Sequence, residues 1–290
     1  MPSINPGPSL PGKPLVIALL TPYSGRNLGD GAIQSAFIQN LQALRPEVEL
    51  IGITENPART EAIHGIRCFP LHALARAAAV QWGAPARIGG APPSSAPPPR
   101  SSGLRAIVGA IPLARPAVAA LRRLRRMLDF RDVREAVREW RLLGRVDLLL
   151  VAGGGQLDEE WGGPWSQPFV LFRWSALARA RGVTVAVASV GMGVLQTRLS
   201  RRFVKRTLAR SHYRSFRDKG TRQLLARFTP SAGDPIVPDV ALSLPLPAGF
   251  MNALPAKAGS IGVVPIVFGH PRHWPTVDVP AYERYVRELA

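Results

Sequence analysis

Three short stretches combine residue types suited to handling anions, and each follows an apolar run. Asn27-Leu28-Gly29-Asp30 comes after the run Val16 to Thr21 and opens a helical stretch that continues to Leu44. Asn and Asp both satisfy free helix N–H groups, and Gly29 permits positive φ or close approach of a ligand. On spacing alone, a plain helix cap accounts for this motif. Gly153-Gly154-Gly155, after the run Asp147 to Val151, is more specific. Three successive glycines remove side chains and expose backbone N–H groups to an anion, whereas a tight turn needs only one. The third stretch, Tyr213 to Asp218, places Arg217 at a strand end. Its planar fork suits a carboxylate or phosphate, although an ion pair with neighbouring Asp218 would satisfy it equally. Together these stretches point to an enzyme acting on anionic, phosphorylated small molecules.

Other motifs carry less. Gly191-Met192-Gly193 follows a strand-like run, but position 196 is Gln where a dinucleotide fingerprint wants Gly or Ala. No organic cofactor is expected. The five histidines lack zinc-type spacing with Cys68, the single cysteine, so no metal site is expected either.

The elements that must position these residues alternate. Strands are predicted at 15–21, 48–54, 66–71, 147–152, 183–190 and 213–217, with helices at 30–44, 166–181, 198–210 and 219–228. This alternation argues an α/β fold with a Rossmann-like, doubly wound parallel sheet, whose ligands bind at the carboxyl ends of strands. Residues 1–14 read as a disordered leader, and 15–245 as the Rossmann-like domain. Within that domain, 83–103 holds six prolines among Gly, Ser and Ala and reads as a disordered insertion. Residues 104–145 form an Arg-rich helical segment. Between Arg100 and Arg145, twelve Arg stand against Asp129, Asp132, Glu135 and Glu139. A strand at 261–268 and a helix at 282–289 open what reads as an incomplete second domain, 259–290, because one strand and one helix cannot close a core.

The chain has 290 residues and a net charge of +18, from 37 Lys and Arg against 19 Asp and Glu. Phosphorylated substrates, an anionic membrane surface and nucleic acid are the partner classes such a charge admits. Nucleic acid is disfavoured because aromatic residues do not interleave the Arg run. The apolar stretch from Leu104 and the Arg-rich helix after it suit peripheral contact with an anionic bilayer. No run reaches the roughly 18 apolar residues of a membrane span, and a cytoplasmic setting is expected.

Four elements taken together resemble the polysaccharide pyruvyl transferase family. They are Asn27-Leu28-Gly29-Asp30-Gly31-Ala32-Ile33, Gly153-Gly154-Gly155-Gln156-Leu157, Ser215-x-Arg217-Asp218, and Pro238-Asp239. The resemblance covers roughly residues 15 to 245. It implies a two-domain fold like the GT-B glycosyltransferases, phosphoenolpyruvate as donor, and a sugar or lipid-linked saccharide as acceptor. The product would be a pyruvate ketal in cell-surface polysaccharide synthesis. On that basis Arg217 and Asp30 are the expected catalytic residues. Asn27, Gly29, Gly153, Gly154, Gly155 and Asp218 are the expected substrate-binding ones. The family's Arg/His motif has no counterpart after Ile261, so a proton donor is lacking and weak activity of a truncated chain is expected. A nucleotide-sugar-dependent glycosyltransferase of similar fold, or a non-catalytic anion- or nucleic-acid-binding protein, are the competing readings.

Overall fold

The structure, a computed structural model, describes residues 14–71, 130–159, 163–193, 195–246, 249 and 278–289. The predicted leader to residue 13, the Pro-rich insertion, the Arg-rich segment up to 129 and the strand at 261–268 lie outside the described residues.

Six strands, β1 Val16–Leu20, β2 Glu49–Thr54, β3 Arg67–Pro70, β4 Leu148–Ala152, β5 Thr184–Val190 and β6 Tyr213–Phe216, form one parallel sheet in the order β3-β2-β1-β4-β5-β6. This confirms the Rossmann-like α/β expectation. The chain runs outward from β1 to β3 and then returns to lay β4 against the other edge of β1. Neighbouring crossovers therefore diverge between β1 and β4, leaving a crevice at their carboxyl ends.

Alternation along β1 explains why both faces of the sheet must be covered. Ile17 and Leu19 point into one core, with Ile33, Phe37 and Ile38 of helix α1 (Leu28–Leu44). Val16, Ala18 and Leu20 point into the other. There they meet Leu143 of α3 (Phe130–Leu143), Leu171 and Trp174 of α4 (Gln167–Ala180), and Val204 and Leu208 of α5 (Arg198–Arg210). Every β1 residue is buried, as a central parallel strand requires. Each such aliphatic or aromatic side chain contributes about 1.5–3 kcal/mol. Trp174 also donates from Nε1 to the Leu71 carbonyl at 2.9 Å, tying α4 to the end of β3.

Helix α2 (Pro57–His64) was not anticipated, although its signals are local. Asn56 accepts from Arg59 N, Pro57 occupies the first turn, and Gly65 ends the helix at φ 66°. Helix α6 (Lys219–Ala226), a 3-10 turn (Val240–Ser243) and helix α7 (Val279–Leu289) complete the described elements. α7 starts three residues earlier than predicted, because Pro280 is tolerated in a first turn.

Candidate functional site

The carboxyl ends of β1 and β4 bring two of the three sequence motifs together. After β1, Asn27 caps α1: its Oδ1 accepts from Gly29 N at 2.9 Å and, more loosely, from Asp30 N at 3.4 Å. Its carbonyl accepts from Gly31 N at 3.0 Å. The side chain expected to bind substrate is thus committed to the helix. Asp30, one turn into α1, stays half-buried and faces β4: a Cβ placed on Gly154 would lie 3.8 Å from Asp30 Oδ1.

The three glycines after β4 have separate tasks. Gly153 sits at φ 54°, and a Cβ there would come within 2.7 Å of Ile33 Cγ2 and 3.1 Å of Phe37 Cε2. This glycine lets α1 close on the sheet. Gly154, at φ 70°, presents its carbonyl to Gly191 N at 2.8 Å. Gly155 is exposed, with nothing within 4 Å of an added Cβ. The Gly153 N–H is used by Ala188 O at 2.9 Å, while those of Gly154 and Gly155 have no partner among the described residues. Gln156 braces the turn from beneath. Its buried Nε2 donates to the carbonyls of Leu20, Ala152 and Gly153 at 3.3, 3.0 and 2.8 Å, locking the ends of β1 and β4 together.

Arg217 enters from β6, two strands further along. Its N–H bonds to Val190 O at 3.1 Å, and its guanidinium lies over Gly191, where an added Cβ would be 2.8 Å from Nη2. Gly191 thus serves the arginine rather than a dinucleotide. The fork makes two long ion pairs, to Asp239 Oδ2 at 3.5 Å and Asp218 Oδ2 at 3.8 Å. Both exceed ordinary charge-assisted hydrogen-bond lengths, so an incoming anion can displace them. With 38% of its side chain exposed, Arg217 is reachable. Asp218 is otherwise engaged: it caps α6, accepting from Thr221 N at 2.6 Å and Thr221 Oγ1 at 3.1 Å.

Of the residues that aim Arg217, sequence reasoning named Ser215 and Asp239 only as parts of motifs and passed over Ser189. Ser189 adopts φ 53° in the irregular end of β5, a conformation rare outside glycine. From there its Oγ donates to Val237 O at 3.1 Å and Pro238 O at 2.8 Å, and its N–H donates to Ser215 Oγ at 2.9 Å. These bonds fix the segment whose next residue is Asp239. Asp239 Oδ1 caps the 3-10 turn through Ala241 N at 3.1 Å, leaving Oδ2 towards Arg217.

The other unforeseen residue is Glu55, directly after β2. Its N–H donates to Tyr23 O at 3.1 Å, which fixes the backbone. Its half-buried carboxyl has no hydrogen bond or ion pair among the described residues. Burial, reinforced by the Asp30 charge, pushes it up to about 7. Asp30 is raised too, by burial and then by Asp239, with an Asn27 hydrogen bond pulling the other way. No single residue type in Thr54-Glu55-Asn56 foretells this; only the adjacency of β2 to β1 does.

The fold is an α/β Rossmann-like one, and its switch point brings together backbone N–H groups without a partner among the described residues, a half-exposed guanidinium and two carboxyls raised above their ordinary range. The chain belongs to the polysaccharide pyruvyl transferase family, whose sequence model matches residues 27–286, nearly its whole length. By family it is a transferase with a pyruvate donor and a saccharide acceptor. No curated protein and no solved structure matches the chain. Among the described residues, no helix is long and apolar enough to cross a membrane.

Proposed function

We propose that this chain transfers the pyruvyl group of phosphoenolpyruvate to a pair of sugar hydroxyls, forming a ketal during cell-surface polysaccharide synthesis. The observation that carries the reading is the meeting of Asp30, Glu55, the Gly154–Gly155 turn and Arg217 at one end of the sheet. The reaction forms two C–O bonds at the central carbon of the enol and breaks its bond to the phosphate oxygen. Of the two hydroxyl protons, one ends on the methylene carbon, making a methyl group, and the other leaves with phosphate.

Each requirement has a matching group. Arg217 and the N–H groups of Gly154 and Gly155 hold the donor's carboxylate and phosphate and offset the charge of the leaving group. Asp30 takes a hydroxyl proton from the acceptor. Glu55, half protonated near neutral pH, supplies the proton for the methylene carbon, the role the sequence left without a candidate. Asp239 and Ser189 hold Arg217 in place.

The experiment is phosphate release from phosphoenolpyruvate by the purified chain with a panel of sugar acceptors, and mass detection of the ketal. Acceptor-dependent release is expected. Glu55→Gln should lower it by about 10²–10⁴-fold and remove the limb of the pH profile near 7. Release with a nucleoside diphosphate sugar as donor, and none with phosphoenolpyruvate, would overturn the reading.

A further inference from the structure

The charge of this protein is sorted by face. Helix α5 carries six bases, Arg198, Arg201, Arg202, Lys205, Arg206 and Arg210, and no acid. The first five are exposed, while Phe203, Val204 and Leu208 anchor the helix below. None of the six makes an ion pair among the described residues. Arg201 Nε donates to Leu195 O at 2.9 Å, and Arg210 donates from Nη1 to Arg206 O at 2.9 Å and lies over the Phe172 ring at 4.9 Å. Alongside, α4 contributes Arg179, bonded to His212 at 2.7 Å, and Arg173, which pairs with Glu139 of α3 at 2.9 Å; α3 itself carries acids as well as arginines, so the uncompensated charge sits on α5. The opposite face is covered by α1, whose 17 residues contain no Lys or Arg and one acid, Asp30. Among the described residues the contrast lies between α5, basic throughout its outer side, and α1, which carries no base.

That face also shows apolar surface. On α3, Val137 and Trp140 are 42% and 36% exposed, and Arg181 lies over the Trp140 ring at 4.8 Å. Helices α3, α4 and α5 lie side by side over one core, so cations and exposed apolar groups share a broad layer rather than a groove. We infer that the outer surface of α3, α4 and α5 docks on an anionic lipid bilayer, with α5 supplying the charge and Val137 and Trp140 the interfacial contact. Cations over anionic headgroups with an aromatic at headgroup depth are the composition such surfaces select. A single-stranded nucleic acid would want open aromatic faces on which bases stack. On this face Phe169, Phe172 and Phe203 pack on one another at 5.0–6.3 Å between centroids, with Arg210 over Phe172 at 4.9 Å, and offer no open ladder of rings.

The test is co-sedimentation of the full chain with phosphatidylcholine vesicles, with or without phosphatidylglycerol, at low and high salt. A single-stranded RNA oligomer serves as competitor. Binding should require phosphatidylglycerol, fall steeply with salt, and drop at least about a hundredfold in Arg198→Glu/Arg202→Glu/Arg206→Glu. A control with equal charge change on exposed sites elsewhere, Arg45→Glu/Arg227→Glu/Arg284→Glu, should keep most of the binding. Circular dichroism confirms that both variants fold. Several results would overturn the inference: equal recovery with neutral vesicles, no recovery with anionic ones, equal loss in both variants, or displacement by RNA at lower concentration than lipid.

Discussion

Two glutamates at the rim of the same sheet have opposite environments. Glu159, after β4, is buried against the start of α5. Its carboxylate accepts from Thr197 N at 2.8 Å and Thr197 Oγ1 at 2.7 Å, and from Gln196 N and Ser200 Oγ. Burial alone would raise it, but these bonds together hold it below the usual carboxylate range. Glu55, after β2, has no such donors, and the nearest charge is a second carboxylate, so its carboxyl rises to about 7. Residue type is the same; the supply of hydrogen-bond donors decides the chemistry. Where donors converge, the glutamate is a permanent anion that caps a helix. Where they are withheld, its carboxyl keeps a proton to about pH 7. On the proposed function, the reactive carboxyl is the one at the end of β2, not the one between β4 and α5.

Substitution should separate the two most sharply. Glu159→Ala takes the acceptor from the Gln196 and Thr197 N–H groups and the Ser200 hydroxyl, leaving only the Thr197 cap at the start of α5, so unfolding in urea should show a loss of about 3–5 kcal/mol. A loss under about 1 kcal/mol would mean that water or Asp158 takes over the cap.

The glycine turn offers a second contrast of the same kind. Gly153→Ala forces a methyl against Ile33 and Phe37 at positive φ, so stability should drop by about 2–3 kcal/mol. Gly155→Ala meets nothing and should leave stability within about 0.5 kcal/mol. If instead both variants unfold at the same urea concentration, the division of labour within the triplet is wrong.

Glu55→Gln is the smallest change and has the opposite sign. The folded carboxyl binds its proton up to about pH 7, against 4.5 when unperturbed. Between those values the native state holds more protons than the unfolded chain, so stability falls as pH rises through the window. Removing the charge removes that fall. The variant should exceed the parent by about 1–2 kcal/mol above pH 7, a figure reduced for solvent screening of a half-buried group, and match it below pH 4.5. Parallel stability curves across this range would show that Glu55 is an ordinary surface carboxyl.

Much of the framework was legible in sequence because its signals are local. The apolar runs of β1, β4 and β5, the glycines after β4 and the Thr197 cap before α5 each declare themselves within a few residues. Asp30 lies beside Gly154, since strand-end turns of a doubly wound sheet converge. Asn27 and Asp218 were read as ligand contacts, yet both side chains are spent on caps. What sequence did not reveal depends on strands meeting. Glu55 matters because β2 lies beside β1. Ser189 matters because its strained backbone reaches Pro238, 49 positions away. Gly191 looked like half a nucleotide motif because nothing nearby in sequence shows that Arg217 lies on it.

The central claim is that the switch-point crevice binds the anionic donor through Arg217 and the exposed end of the glycine turn. Calorimetric titration of phosphoenolpyruvate into the parent and Arg217→Lys tests it most directly. Lysine keeps the charge and loses the fork, so affinity should weaken by about 1–3 kcal/mol, roughly 5- to 150-fold, with folding unchanged. Identical binding isotherms for the two proteins would contradict the account and leave Arg217 as no more than a partner for Asp239 and Asp218.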